Sequence, residues 1–385
     1  MGDVVIAGIG QIPVAEHWEI PLRSMAVKAA RTAINDAGGL QPEALYIGNF
    51  LASAASHQAN LGALIVEHSG FSYLEAFTAE AGEASGAVAL HMAYLAVKSG
   101  FIDTALVIGV EKVTDRIGQE IEMLIAESAD YDFEGMQGLT PYGQAALLMQ
   151  AYLERYQAQR ESFAVFPLLA HQNAARNANA LFQKAISLDR YQQAPIVNAP
   201  LNLMDAAPYA DGAAAILVAS EEVLPEDFPH PVISIKASEI ATDALALHDR
   251  IDILAFNAVK TSVRRSLQKA AIKLEDIDFF ECWDSASIFA LLSLESAGFF
   301  PRGLGWKEID LDKLGIQGEL PLITMGGNKA RGFPLGAAGV YQAVEAVLQL
   351  RGQAGKNQIR GIQTGMIQAL GGSASTTVTH ILQID

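Results

Sequence analysis

The sequence predicts an α/β protein built from a duplicated unit. Three observations carry this. Runs such as residues 4–9 and 105–110 are apolar without alternation, as in strands buried on both faces of a sheet. Ala-rich helical stretches close at Gly38-Gly39, Gly100 and Gly352, and glycine is the residue that ends helices in the left-handed conformation. The order of these features occurs twice, with landmarks such as Gly86 and Gly336 about 250 residues apart.

The elements follow in order. Residues 4–9 read as a first strand, 24–37 as a helix and 44–51 as a second strand. After a Gly-rich turn comes a helix over 86–100 and a strand over 105–110. In the second half, 256–272 is helical and 274–282 is a strand. A Gly-rich turn then leads to a helix over 336–352 and a strand over 359–366. The polar stretch from about 117 to 193 predicts a helical excursion from the first half. Residues 221–231 hold three prolines and mark the linker, dividing the chain into 1–225 and 226–385.

Composition excludes several classes of function. Of 385 residues, 51% are hydrophobic, which is ample for a large core. The net charge of −17, with no run of Lys or Arg, argues against nucleic acid and anionic membranes as partners. One cysteine, Cys282, allows no internal disulfide and fits a reducing, cytoplasmic setting. The opening residues lack the positive region of a signal peptide, and no uncharged apolar stretch reaches about 18 residues. Gly8-Ile9-Gly10 lacks the rest of a dinucleotide fingerprint and reads as a turn. The eight histidines show no metal-ligand spacing, and His91 reads as a core or interface residue.

Six segments, in order, carry a resemblance. They are Ile6-Ala-Gly-Ile-Gly-Gln11, Gly82-Glu-Ala-Ser-Gly86, Phe101-Ile-Asp-Thr-Ala-Leu-Val-Ile-Gly-Val-Glu-Lys112, Ala210-Asp-Gly-Ala-Ala214, Gly332-Phe-Pro-Leu-Gly-Ala337 and Leu370-Gly-Gly372. Together they resemble the thiolase superfamily, most closely its sterol-carrier-protein-thiolase-like, acetyl-CoA acetyltransferase-like branch. The resemblance implies the thiolase fold: two βαβαβαββ halves stacked as five αβαβα layers, usually dimeric. It also implies a dimer edge strand near the nucleophile helix, for which residues 105–110 are the expected strand.

The resemblance also implies a catalytic set, and this chain departs from it at three positions. Glu83 stands where the family has its nucleophilic Cys. Trp283 stands at the His of the His-Asp motif, with Asp284 at the acidic position, and Phe333 stands at the His of the Gly-His-Pro motif. Gly327, Gly371 and Gly372 fall at substrate-binding positions. Cys282 lies beside Trp283, outside the nucleophile motif, and takes no nucleophile role.

Two readings of Glu83 stand: a carboxylate stabilised by the helix terminus, or a general acid–base group in a rebuilt acyl pocket. Asp284 reads as a structural hydrogen-bonding residue or a catalytic acid. Asn328, Lys329 and Arg331 read as a solvated loop, or as contacts to a phosphate or carboxylate. Two functions follow. The first is a non-catalytic or accessory subunit of an acyl-transfer complex that needs no cofactor. Its partner is a second copy, a Cys-containing thiolase, or an OB-fold zinc-ribbon protein. The second is an enzyme of replaced chemistry, such as decarboxylation or retro-aldol cleavage of a coenzyme A thioester, using Glu83.

Overall fold

The computed structural model describes residues 2–385. Its main sheet is formed by β1 (Val4–Gln11), β2 (Ala44–Gly48), β3 (Glu75–Ala79), β4 (Thr104–Glu111), β5 (Gly212–Ser220), β6 (Ile233–Thr242), β7 (Phe279–Glu281), β8 (Thr364–Gly371) and β9 (Thr376–Ile384). Their order is β3-β2-β4-β5-β1-β6-β9-β8-β7. Read outward from the centre, β1-β5-β4-β2 repeats as β6-β9-β8-β7. The pairing senses repeat as well. β2–β4 and β7–β8 are parallel, and the other equivalent pairs are antiparallel. A lone parallel bridge from Phe280 to Leu322 stands where β3 has its counterpart. Within the sheet, the strands of the two halves join at one pair, Val5 with Ser234.

The longer helices are α1 (Leu22–Asp36), α2 (Leu61–Ser69), α3 (Ser85–Lys98), α4 (Gln119–Ile125), α5 (Pro141–Tyr156), α6 (Val165–Ala174), α7 (Asn257–Ala270), α8 (Ser287–Ala297) and α9 (Ala338–Leu350). Met25 and Ala29 of α1 and Ile65 of α2 pack with Val5, Leu106 and Leu217 on one outer face. Leu90 of α3 and Val344 of α9 pack with Val107 and Ile216 of the first half and with Ile235 and Ile367 of the second. Val259 of α7 and Leu291 of α8 pack with Met366 and Val378 on the far face. The layers are therefore αβαβα, the thiolase fold. Each fully buried aliphatic side chain contributes about 1.5–3 kcal/mol. The central helices cross at glycines. A Cβ on Gly339 would lie 2.8 Å from the Ala87 amide nitrogen, and one on Gly86 would lie 2.6 Å from the Gly336 carbonyl oxygen.

Several expected boundaries differ. The last predicted strand begins at Thr364 rather than 359, because a 3₁₀ turn at Gly355–Asn357 and a positive φ of 72° at Gly361 keep the chain from pairing. Residues 274–276 form a 3₁₀ turn, leaving β7 only three residues. The expected dimer-edge strand, 105–110, is not an edge. It lies within β4, fully buried between β2 and β5. The first half's free edge is β3, whose mostly exposed residues Glu75–Ala79 carried no apolar-run signal.

Candidate functional site

Glu83 lies two residues before α3, in a turn that Gly82 opens with φ 58°. Ser85 locks the turn: its hydroxyl donates to the Gly82 carbonyl at 2.5 Å and accepts the Ala81 N–H at 3.0 Å. The turn sends the Glu83 side chain across the half boundary. Oε2 accepts the Gly372 N–H at 2.8 Å, and Oε1 accepts the Ser128 hydroxyl at 3.1 Å. The carboxylate thus caps the glycine loop of the other half, where a cap on its own helix had been one expectation. Burial pushes its pKa up, against the hydrogen bonds from Gly372, its own amide and Ser128.

Trp283 and Phe333 meet edge to face, with centroids 5.5 Å apart and planes at 84°. Phe333 contacts Tyr209 at 6.1 Å, and Tyr209 stacks on Tyr142 at 5.4 Å. These four rings, with Glu83, Ser128 and Gly372, line a cavity of about 20 Å³. That is room for about one water molecule. Backbone pairing of residues 205–210 holds the wall in place. The Phe333 N–H donates to the Pro208 carbonyl at 2.9 Å, and the Ala210 N–H to the Phe333 carbonyl at 3.1 Å. Beside Trp283, the Ala207 N–H donates to the Ser285 carbonyl at 2.9 Å. Tyr142 sits in the first turn of α5, which Thr140 caps by accepting the Gly143 N–H at 3.2 Å.

The structure brings Glu83, Trp283, Phe333 and Gly372 together, but not the other sequence candidates. Asp284 lies behind Trp283 and accepts the amides of Asn328 at 2.6 Å and Lys329 at 3.2 Å. Gly327 abuts the same carboxylate: a Cβ there would come 2.3 Å from Asp284 Oδ2. Gly371 packs on the Ala81 carbonyl, where a Cβ would come within 2.3 Å. Asn328, Lys329 and Arg331 are buried, which corrects the solvated-loop expectation. Arg331 pairs with Glu345 at 2.9 Å and donates to Asn328 Oδ1 at 2.7 Å. Its single guanidinium serves Glu345, Glu281 and Asp284, and burial pushes all three carboxyls up, Asp284 to about 6. Burial likewise raises the Cys282 thiol, which leaves it protonated. His91 Nδ1 lies 2.8 Å from Ser238 Oγ, away from the cavity.

Sequence reasoning missed Tyr142, Tyr209, Ser128 and Glu122. Only Tyr209 had a signal, because it adjoins the Ala210-Asp-Gly motif. The hydroxyl of Tyr209 and Oε2 of Glu122 are buried without a hydrogen-bond partner among the described residues. Burial pushes the Glu122 carboxyl up, and the adjacent Tyr209 hydroxyl eases it, yet no well-formed hydrogen bond joins them.

The duplicated five-layer α/β sandwich, with its site where the halves meet, defines a thiolase-type protein. The chain belongs to the thiolase family: residues 4–222 match the thiolase N-terminal domain and 240–384 the thiolase C-terminal domain-like family. It is 36% identical over 383 residues to an acetyl-CoA acetyltransferase of Methanothermobacter thermautotrophicus, with 99% of each chain covered. It is 30% identical to sterol carrier protein 2 of Bos taurus over 77% of this chain and 56% of that protein. Among solved structures, the Ltp2-ChsH2(DUF35) aldolase matches with a TM-score of 0.87 and 25% identity, covering 100% of this chain and 98% of that one. An acetyl-CoA acetyltransferase from Syntrophomonas wolfei shares the fold, with a TM-score of 0.74 at 18% identity over 100% and 99% of the chains.

Proposed function

We propose that this chain is an accessory, non-catalytic subunit of an acyl-transfer assembly in the cytoplasm, requiring no cofactor of its own. One observation carries the reading. The Glu83 carboxylate occupies the Gly372 N–H, a donor suited to an acyl oxygen, in a cavity with room for about one water. Neither Cys nor His lines that cavity. A carboxylate is a weak nucleophile toward a thioester, and the anhydride it would form hydrolyses. The similarity to Ltp2, whose structure carries ChsH2(DUF35) with it, supports a heteromer, and this reading names an OB-fold zinc-ribbon protein as the partner. A Cys-containing thiolase chain and a second copy of this chain are the other partners in this reading. Calorimetric titration with acetyl-CoA, beside an acetoacetyl-CoA thiolysis assay, tests it. Neither binding nor turnover is expected, and turnover at an ordinary thiolase rate overturns it.

A second reading rests on the Tyr209 hydroxyl in the cavity wall and Oε2 of the adjacent Glu122, both buried without a well-formed hydrogen bond among the described residues. Each buried orphan costs about 1–3 kcal/mol, a cost that folding alone does not repay. An acid–base site for decarboxylation or retro-aldol cleavage of a coenzyme A thioester, with Glu83 as the acid–base group, would account for them. The likeness to an aldolase supports it. Tyr209→Phe separates the two: a more stable protein favours the accessory role, and loss of a measurable thioester cleavage favours the enzyme.

A further inference from the structure

The outer face of α1, like that of α7, is cationic in an otherwise acidic chain. Arg23, Lys28 and Arg31 are all exposed along it. No acid occurs on the helix before Asp36. Asp36 is turned away, accepting the Ile9 N–H and pairing with Arg351 and His230. No ion pair is formed by Arg23, Lys28 or Arg31 among the described residues. Acidic residues number 43 against 26 basic ones, so three successive cations left without a carboxylate are a departure from the average surface. His68 of α2 closes the other side, forming a groove of about 410 Å³.

We propose that this groove is a docking surface for an acidic protein segment. Arg23 and Arg31 lie eight residues apart on the helix, about 12 Å, a span that carboxylates on two to three turns of a partner helix cover. All three side chains are exposed, so the surface is open rather than a built cage for a small anion. The net charge of −17 repels a long polyanion such as nucleic acid. A short acidic segment meets only the local positive field, since screening confines each charge to roughly 8–10 Å. The proposal goes beyond the accessory reading, because the groove stands whether or not the cavity at Glu83 turns over a substrate.

The test is fluorescence anisotropy of the full chain with a labelled helical peptide bearing Glu at every fourth position. Binding should weaken at least about fivefold between low and physiological salt. Charge reversal by Arg23→Glu, Lys28→Glu and Arg31→Glu should weaken it at least about tenfold, and the three neutral Gln substitutions by an intermediate factor. Reversing Lys260, Arg264 and Arg265 on α7, which are likewise exposed and without an ion pair, is the charge-matched control on the opposite outer layer and separates the α1 groove from local positive charge alone. That control should leave binding unchanged. Equal loss in the α1 and α7 variants, equal binding of a Lys-for-Glu peptide, or tighter binding of a duplex oligonucleotide would each overturn the proposal. So would displacement of the peptide by low-millimolar pyrophosphate, which would mark a small-anion site.

Discussion

The Glu83 carboxylate accepts the Gly372 N–H at 2.8 Å, joining residues 289 apart in the chain. The contact fastens the turn before α3 to the last glycine loop of the second half. It also turns a donor that could hold a developing negative charge into one end of an internal tie.

That tie has a pH signature. Burial raises the Glu83 pKa above its ordinary value of 4.5. A raised folded pKa means that this residue's stabilising share is full below the unfolded pKa and is lost as pH rises through the folded one. Glu83→Gln mimics the protonated form, so its thermal unfolding should change less with rising pH than wild type does. At neutral pH it should lie within about 1 kcal/mol of wild type, while Glu83→Ala should cost about 1–3 kcal/mol by orphaning the Gly372 N–H. Melting both variants at acidic and alkaline pH makes the comparison, and identical pH slopes in Gln and wild type would count against it.

The wider acidic cluster adds to this. Glu111 is pushed to about 7 and Asp284 to about 6 by burial, and Glu281 and Glu345 shift the same way around Arg331. All four ionise near pH 4–4.5 when unfolded, so stability should fall as pH rises from about 4 through about 8. The buried His380, lowered to about 3, acts in the opposite sense and removes stability as pH drops below about 6.5. Unfolding followed across pH should therefore show a maximum on the acid side of neutrality. Glu345→Gln should flatten the alkaline limb, provided the loss of its Arg331 pairing still permits folding. Asp284→Asn, whose hydrogen bonds are to backbone amides, gives the second check.

Restoring the nucleophile should not restore chemistry. Glu83→Cys would stand in a cavity of about 20 Å³ beside Trp283 and Phe333, with no imidazole in its wall. Mass spectrometry after incubation with acetyl-CoA should show no acetyl adduct at residue 83. Efficient acylation would show that the aromatic wall opens more readily than its packing implies.

The wall itself is structural in the accessory reading. Trp283→Ala and Phe333→Ala should each cost about 3–5 kcal/mol, because each ring is buried in edge-to-face contact with the other. The double variant should cost less than the sum of the two, since the first truncation already removes their shared contact. Denaturant unfolding of the three proteins measures this, and strict additivity would contradict a coupled pair.

The sequence by itself determined the α/β class, the duplication and the positions of Glu83, Trp283 and Phe333. The class and the duplication are local properties, since apolar runs mark doubly buried strands and Gly-bounded Ala-rich helices mark the central layer, whereas the three positions come from the motif resemblance. Only the tertiary structure decided what surrounds those residues. Tyr142 reaches the cavity from a segment far from every motif, Tyr209 stacks on it from beside the Ala210-Asp-Gly motif, and residues 205–210 hold the wall by backbone pairing that leaves no periodic trace. Lys329 and Arg331 read as solvated because charge normally marks surface, yet they are buried against backbone carbonyls and Glu345. The dimer-edge expectation fell on the apolar β4, whereas the first half's free edge is the half-polar β3. Apolar runs report burial on both faces, and an edge strand, open to solvent along one side, does not need it.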